Sequence, residues 1–146
     1  VERTINMVCY SKRAEGVDID SVRNRDLPRL RIMPQLFQQV MVNLLLNALD
    51  AVEASDAEGE IRVDRRLDGD QVKVCVRDSG VGMSRDQVER AFEPFYTTKS
   101  SGKGTGLGLA VSYRLIQRQG GDISIESTQG EGTVVTVSLP LGELAE

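Results

Sequence analysis

Asp78 is the first residue that could do chemistry, because a strand-like run ends beside it and a glycine turn follows it. Residues 72–76 alternate apolar and polar side chains, and residues 78–83 are Asp-Ser-Gly-Val-Gly-Met. A carboxylate at the end of a strand has a fixed position, and two nearby glycines let the backbone turn sharply with no side chain between it and a ligand. We predict that Asp78 recognises a nucleotide base. An ordinary turn is the alternative, since the same residue types are common in turns.

Four polar side chains share one narrow arc of a helix predicted over residues 34–54. At about 100° per residue, Gln39, Asn43, Asn47 and Asp50 lie within roughly 80° of one another, between apolar flanks. Amides in such a position need hydrogen-bond partners. Two interpretations stay open: core amides that bond to neighbouring backbone, or a polar stripe that faces a ligand.

A second glycine cluster follows a loop without any hydrophobic residue. Residues 97–105 carry Lys99 and Lys103, and we interpret this lid loop as mobile, with a plain surface loop as the alternative. Residues 104–108, Gly-Thr-Gly-Leu-Gly, open a helix predicted to end near Gln119, and N–H groups of a first helical turn bind anions. The side chains of this helix predicted to be buried are Leu109, Val111, Leu115 and Ile116. No Lys-Ser/Thr pair follows these glycines, which excludes a Walker A loop. The polar loop before them excludes a dinucleotide-binding fingerprint, which needs a strand there.

The composition is that of an ordinary globular domain: 146 residues, 40% hydrophobic and 27% charged. A net charge of −4 without a basic stripe argues against nucleic acid as a partner. No apolar run approaches the ~20 residues that span a membrane, and no signal-peptide pattern opens the chain. The absence of histidine excludes an imidazole base or ligand within this chain. We expect Cys9 and Cys75 to be buried thiols in a reducing compartment.

The remaining elements must position these residues, and their order predicts the fold class. Strands are predicted over residues 17–22, 30–32, 60–67, 71–76, 123–127 and 133–139, and helices over 2–15, 34–54, 84–92 and 106–119. We predict an α+β fold, a two-layer α/β sandwich in which a mixed, mostly antiparallel sheet carries about three helices on one face.

The order of these motifs resembles the ATP-binding domain of the GHKL (Bergerat-fold) superfamily, which includes type II topoisomerases, heat-shock chaperones, mismatch-repair ATPases and sensor histidine kinases. The closest resemblance is to the catalytic domain of a two-component histidine kinase, and it covers about residues 28–140. Residues 43–48 are similar to the N box of that family, and residues 78–83 are similar to its first glycine box. Residues 92–99 are similar to the F box, residues 104–110 to the second glycine box and residues 130–133 to the closing strand motif.

The resemblance implies ATP and Mg²⁺ as cofactors and a role for each motif. Asp78 would accept a hydrogen bond from the adenine amino group, where guanine presents a carbonyl oxygen, and Thr133 would help through its hydroxyl or a water. Asn47 would offer its oxygen to Mg²⁺, which takes its other ligands from phosphate and water. Lys99 and Lys103 would balance phosphate charge. The other nucleotide-binding residues implied are Asp50, Gly80, Gly82, Met83, Phe95, Gly104, Thr105, Gly106, Leu107 and Gly108.

One departure from the family pattern bears on the reaction. ATP-hydrolysing relatives place a Glu one helical turn before the Mg²⁺ Asn, as the base for water, and this chain has Asn43 there. An amide cannot take a proton, so efficient hydrolysis is disfavoured. Transfer to histidine needs no such base, because neutral imidazole is a nucleophile at pH 7. The resemblance implies Asn43, Asn47 and Lys99 as the catalytic set.

The acceptor histidine must lie outside this chain. We expect residues 1–15 to be the end of a preceding dimerisation and phosphoacceptor helix, with a native first helix as the alternative, and residues 16–146 to be the catalytic domain. The expected partners are that helical hairpin, a response regulator receiver domain and a second copy in the full-length protein. We expect a cytoplasmic protein, or the cytoplasmic part of a membrane-bound sensor. A serine kinase of the anti-sigma-factor type, a nucleotide-gated binding module and a domain with purely structural glycines are the alternatives.

Overall fold

One layer of the fold is a five-stranded sheet. In this computed structural model, which describes residues 17–22, 34–55, 58–94, 96 and 108–140, the strands are β1 (Val17–Val22), β2 (Gly59–Asp68), β3 (Gln71–Asp78), β4 (Asp122–Thr128) and β5 (Gly132–Pro140). Their order across the sheet is β1-β2-β3-β5-β4. β1 runs parallel to β2, and the other three pairs are antiparallel. The prediction of a mixed, mostly antiparallel sheet is confirmed.

Three helices form the second layer in the described part of the chain: α1 (Pro34–Glu53), α2 (Arg85–Arg90) and α3 (Gly108–Arg118). α1 packs on β2, β3 and β5, and α3 packs on α1 and β4. Ser84 caps α2 because its side chain accepts from the backbone of Gln87, whose side chain accepts from the backbone of Ser84 in return. The α+β sandwich is therefore as predicted.

The core lies between α1 and the inner face of the sheet, because both carry apolar side chains at the matching period. In β3 the even-numbered residues from Val72 to Asp78 are buried while the odd-numbered ones are more exposed. Full burial of one such aliphatic side chain contributes about 1.5–3 kcal/mol. The largest fully buried apolar side chains are Met41, Leu44, Leu45, Leu49, Ile61, Ile116, Val40, Val63, Val76 and Val137.

Some predictions are wrong in detail. Val111, predicted to be buried, is 42% exposed because the buried stripe of α3 passes through Ser112 and Ile116 instead. Cys75 is only half-buried, since it points away from the helical layer, with its Sγ 3.5 Å from Oγ1 of Thr136. α2 ends at Arg90, before the predicted end at residue 92. The predicted helix over residues 2–15, the strand over 30–32, the lid loop and Cys9 lie outside the described residues.

Candidate functional site

Three polar side chains lie side by side at the end of the sheet where its apolar face stops. Asp78 of β3 pairs with Thr133 of β5, and Thr133 pairs with Ser127 of β4. The next row inward is apolar and consists of Val76, Val135 and Ile125. Asp78 and Thr133 are each only 7% exposed. The row therefore places three polar side chains directly beyond the apolar core.

Asp78 carries the strongest electrostatic signal in the site. Its Oδ1 accepts a hydrogen bond of 2.9 Å from the backbone N–H of Gly80. Burial raises the pKa of the Asp78 carboxyl from 3.8 to about 6, against the opposing effect of the backbone N–H groups of Gly80 and Thr133. The carboxylate is therefore charged at pH 7 in a place where water stabilises it poorly. Such a group favours a ligand that donates hydrogen bonds to it.

The glycines of the first glycine box lie where an added side chain would collide with protein backbone. A side chain at Gly80 would meet the backbone of Ala51 on α1 at 2.4 Å, and one at Gly82 would meet the carbonyl oxygen of Thr128 at 2.1 Å. Gly82 also has a φ of +68°, which L side chains rarely adopt. The space that each missing side chain would fill is thus occupied by protein backbone rather than left open for a ligand.

Backbone hydrogen bonds hold the first glycine box between the two layers. The N–H of Val81 donates to the carbonyl of Ala51 at 3.1 Å, and the carbonyl of Val81 accepts from the N–H of Gly130 at 2.7 Å. The N–H of Ser79 donates to the carbonyl of Glu60 at 3.0 Å. The loop after Asp78 is therefore fixed by α1, by β2 and by the turn between β4 and β5.

The polar stripe of α1 faces the beginning of α3. Nδ2 of Asn43 donates to Oγ of Ser112 at 3.2 Å and to the carbonyl of Gly108 at 3.5 Å, and Nε2 of Gln39 donates to Oδ1 of Asn43 at 3.3 Å. Asn43 thus bonds to a buried hydroxyl, and its contact with the carbonyl of Gly108 is the kind of backbone partner that the core interpretation of the stripe predicts. Asn47 is half-buried one turn further along the same stripe.

The bridge between Asn43 and Ser112 leads to a stability prediction. Ser112 is fully buried, so Asn43→Ala should leave its hydroxyl without this partner and lower the free energy of unfolding by about 1–3 kcal/mol. The double variant Asn43→Ala with Ser112→Ala should lose less than the sum of the two single losses. Urea unfolding of the unaltered chain, the two single variants and the double variant measures the loss in each single variant and the coupling between them. Strictly additive losses would show that this hydrogen bond has no coupling energy.

The site extends along α1 from a turn at one end to a helix start at the other. Ala51, which holds the first glycine box, and Asn43, which contacts the start of α3, are two helical turns apart, about 12 Å along the axis. First-turn N–H groups of a helix lack partners within it and attract anions. The carboxylate of Asp78 therefore lies near one end of the stripe, and the start of α3 lies near the other.

The chain that leads from α2 toward the lid loop is held by side-chain contacts. The guanidinium of Arg90 lies 4.2 Å from the ring centroid of Tyr96, and its Nε is 3.1 Å from Oε2 of Glu93. The rings of Phe92 and Tyr113 are 4.8 Å apart, which joins this segment to α3. The predicted site residues Phe95, Lys99, Lys103, Gly104, Thr105, Gly106 and Leu107 lie outside the described residues.

Two polar residues of the site are missing from the sequence predictions, Ser127 and Ser112. Ser127 lies six residues before Thr133, and counting back from the turn between them would have placed the two opposite each other. Ser112 lies on the buried side of α3, among positions that the helical period marks as inward. A serine among inward positions is the signal that could have identified it.

Two further observations concern metal-binding clusters and membrane-spanning helices. Within residues 17–22, 34–55, 58–94, 96 and 108–140, no three acidic or thiol side chains cluster in a way that could hold a metal ion by themselves. Among the helices that the structure describes, none has both the length and the apolar character needed to span a membrane.

The fold and the site together define a class of protein. The family described as histidine kinase-, DNA gyrase B-, and HSP90-like ATPase matches residues 33–143, and the chain belongs to it. This confirms the family predicted from the order of the motifs.

Sensor kinases are among the similar proteins. Sporulation kinase E of Bacillus subtilis is 42% identical over 144 residues, which cover 98% of this chain and 19% of that protein. Sensor histidine kinase ZraS of Salmonella typhimurium is 37% identical over 142 residues, which cover 97% of this chain and 30% of that protein. This chain therefore spans about a fifth to a third of the length of these curated relatives.

Solved structures of histidine kinases share the fold. Full-length ShkA in complex with AMPPNP superposes with a TM-score of 0.81 at 28% identity, covering 95% of this chain and 28% of that one. The nucleotide-free catalytic domain of histidine kinase ThkA gives 0.77 at 29% identity, covering 96% of this chain and 91% of that one. The architecture of this chain is that of a histidine kinase catalytic domain.

Proposed function

We propose that this chain binds Mg²⁺-ATP and donates the γ-phosphate to a histidine on a separate helical hairpin, as the catalytic domain of a two-component histidine kinase. The observation that carries the proposal is the buried carboxylate of Asp78, charged at pH 7 and aligned with Thr133 at the end of the sheet. A buried acceptor suits the amino group of adenine and opposes the carbonyl oxygen of guanine. The AMPPNP complex of the similar kinase ShkA supports ATP as the ligand.

The phosphate end of the nucleotide would lie along the polar stripe toward α3. Gly108 opens α3 beside Asn43, and its first-turn N–H groups suit the phosphate oxygens. Lys99 and Lys103 of the lid loop would add positive charge beside the triphosphate, and the residues of the second glycine box would cover it. Gly80, Gly82 and Met83 would line the base end, beside Asp78.

Asn47 suits a Mg²⁺ ion that keeps most of its ligands from elsewhere. Its side chain is half-buried between the two ends of the stripe, and Mg²⁺ accepts amide oxygens together with water and phosphate oxygens. Asp50, half-buried on the same stripe, would hold a water of this shell. The ion would neutralise phosphate charge when it is bound.

Transfer of the γ-phosphoryl group to histidine agrees with the polar side chains that the stripe of α1 carries. In the reaction, a bond forms between an imidazole nitrogen and the γ-phosphorus, the bond from that phosphorus to its bridging oxygen breaks, and ADP leaves with the oxygen. The proton on the other ring nitrogen passes to solvent. Neutral imidazole needs no base for this attack. Asn43 stands where a hydrolase would need a base, and its amide is already bonded to Ser112 and Gln39. The arrangement therefore favours transfer over hydrolysis.

The proposed transfer needs an acceptor histidine outside this chain, which contains none. Residues 1–15 would be the end of the phosphoacceptor hairpin, and residues 16–146 the catalytic domain. The full-length protein would form a homodimer in the cytoplasm, or at the cytoplasmic side of a membrane as part of a sensor. The phosphoryl group would then pass to a response regulator receiver domain, and no nucleic acid would take part.

The chemical stability of the phosphorylated product tests this function. The full-length protein should label itself from ATP carrying a radioactive γ-phosphate, and the label should be lost in acid and retained in alkali, as a phosphoramidate requires. An acid-stable label would indicate a serine kinase, and ATP binding without any label would indicate a binding module.

Asn47→Asp should lower the labelling rate at least about tenfold, because it adds a negative charge beside the phosphates. Unchanged labelling in this variant would remove Asn47 from the metal site.

A further inference from the structure

Ser127 makes three close polar contacts at the end of the sheet. Its Oγ accepts from the N–H of Met83 at 2.8 Å, lies 3.0 Å from the carbonyl oxygen of Gly132 and lies 2.7 Å from Oγ1 of Thr133. Met83 belongs to the first glycine box, and Thr133 is the neighbour of Asp78. Ser127 therefore joins the turn that follows Asp78 to the hydroxyl that lies beside it.

The positions of the hydrogens follow from counting donors. A hydroxyl has one hydrogen and two lone pairs, and a carbonyl oxygen only accepts. If Ser127 donated to Thr133, its oxygen and that of Gly132 would be two acceptors 3.0 Å apart with no hydrogen between them. All three contacts are hydrogen bonds only when Ser127 donates to Gly132 and Thr133 donates to Ser127.

This arrangement determines what Thr133 can offer a ligand. Its hydrogen is directed toward Ser127, so only the lone pairs of its Oγ1 remain for the site. Asp78, its cross-strand neighbour, is also an acceptor while it is charged. The base end of the site thus presents two acceptors together, which suits an amino group and opposes a carbonyl oxygen.

We propose that Ser127 is a positioning residue for base selection: it holds the Thr133 hydroxyl as an acceptor, so that the site takes a base with an exocyclic amino group and rejects one with a carbonyl oxygen there. The proposal rests on the proposed function, since it concerns the same nucleotide. Without Ser127, the hydroxyl of Thr133 is free to rotate and donate to a guanine carbonyl. Loss of Ser127 should therefore weaken discrimination between the two bases.

The test is the ratio of the dissociation constants for Mg²⁺-GTP and Mg²⁺-ATP, measured by titration calorimetry on this chain. Ser127→Ala should lower that ratio about fivefold to tenfold, and Ser127→Thr, which keeps the hydroxyl, should restore it. A merely structural role would weaken both nucleotides equally and leave the ratio unchanged, and that result would overturn the proposal. Ser124→Ala, an exposed serine on the same strand, is the matched control.

A second variant tests the route through Thr133. Thr133→Val removes the hydroxyl, so adding Ser127→Ala to it should leave the ratio where Thr133→Val alone puts it. A further change of the ratio in the double variant would show that Ser127 acts by another route and would contradict the proposal. If the unaltered chain binds neither nucleotide, the proposed function fails. If it binds ATP selectively and Ser127→Ala keeps that selectivity, only the role of Ser127 fails.

Discussion

Asp78→Asn is expected to stabilise the fold and to weaken ATP binding at the same time. The pKa of about 6, against 3.8 for an ordinary Asp, means that the charged carboxylate costs the folded state up to about 3 kcal/mol at pH 7. An amide keeps an oxygen for the N–H of Gly80 and carries no charge to desolvate. The loss of a charged acceptor for the adenine amino group should weaken ATP binding about tenfold to a hundredfold.

The pH dependence gives this prediction a second readout. Because the folded pKa is raised, protonation of Asp78 stabilises the fold fully below about pH 4, and this contribution is lost as the pH rises through about 6. The asparagine variant has no such contribution. The melting temperature of the variant should therefore exceed that of the unaltered chain by several degrees at pH 7 and by less at pH 5.

Asp70→Asn is the matched control for Asp78→Asn. Asp70 is exposed in the turn between β2 and β3, so its replacement makes the same change in net charge away from the site. It should leave both ATP affinity and the pH dependence of melting unaltered. ATP affinity that survived Asp78→Asn would show that Asp78 does not recognise the base, whatever the change in stability.

Gly82→Ala is expected to lower the free energy of unfolding by more than about 3 kcal/mol. A methyl group there would lie 2.1 Å from the carbonyl oxygen of Thr128, and neither backbone can move without breaking the contacts that hold the first glycine box. The same shift would displace the turn after Asp78, so ATP affinity should fall as well. Urea unfolding and nucleotide titration measure the two effects.

Gly69→Ala separates backbone strain from lack of space. Gly69 has a φ of +61°, close to the +68° of Gly82, but nothing lies within 4 Å of the added methyl. Its replacement should therefore cost only the strain of the left-handed conformation, about 1–2 kcal/mol, with no loss of ATP affinity. Equal losses at the two glycines would mean that strain alone explains both and that the packing of Gly82 does not matter.

Local patterns in the sequence predicted most of the fold because they depend on neighbouring residues only. The alternation in β3 and the apolar arc of α1 each mark one face of an element, and Ser84 with Gln87 marks the start of α2. The first and last residues of helices and strands, and the burial of side chains near those ends, were less predictable. Val111 is exposed because packing against neighbouring elements, rather than helical period alone, decides which positions of α3 are covered. α2 buries no side chain and ends two residues before its predicted end.

The site could be predicted in part for the same reason. Asp78 at a strand end and the polar stripe of α1 are visible as residue types at fixed spacings, and their order in the chain suffices to identify the family. The partner of Asn43 could not be foreseen, since Ser112 lies 69 residues away and meets it only when α3 packs on α1. The raised pKa of Asp78 was equally hidden, because desolvation depends on everything that surrounds the carboxyl group.

The sequence by itself determined the elements, the family and the absence of a histidine to phosphorylate. Only the tertiary structure decided that β5 lies between β3 and β4, which places Asp78, Thr133 and Ser127 in one row. That order reverses the chain order of β4 and β5, and it depends on which arrangement of strands buries the most apolar surface. The residue types proposed to recognise a base are therefore visible in the sequence, while the direction proposed for the hydroxyl of Thr133 depends on long-range strand pairing.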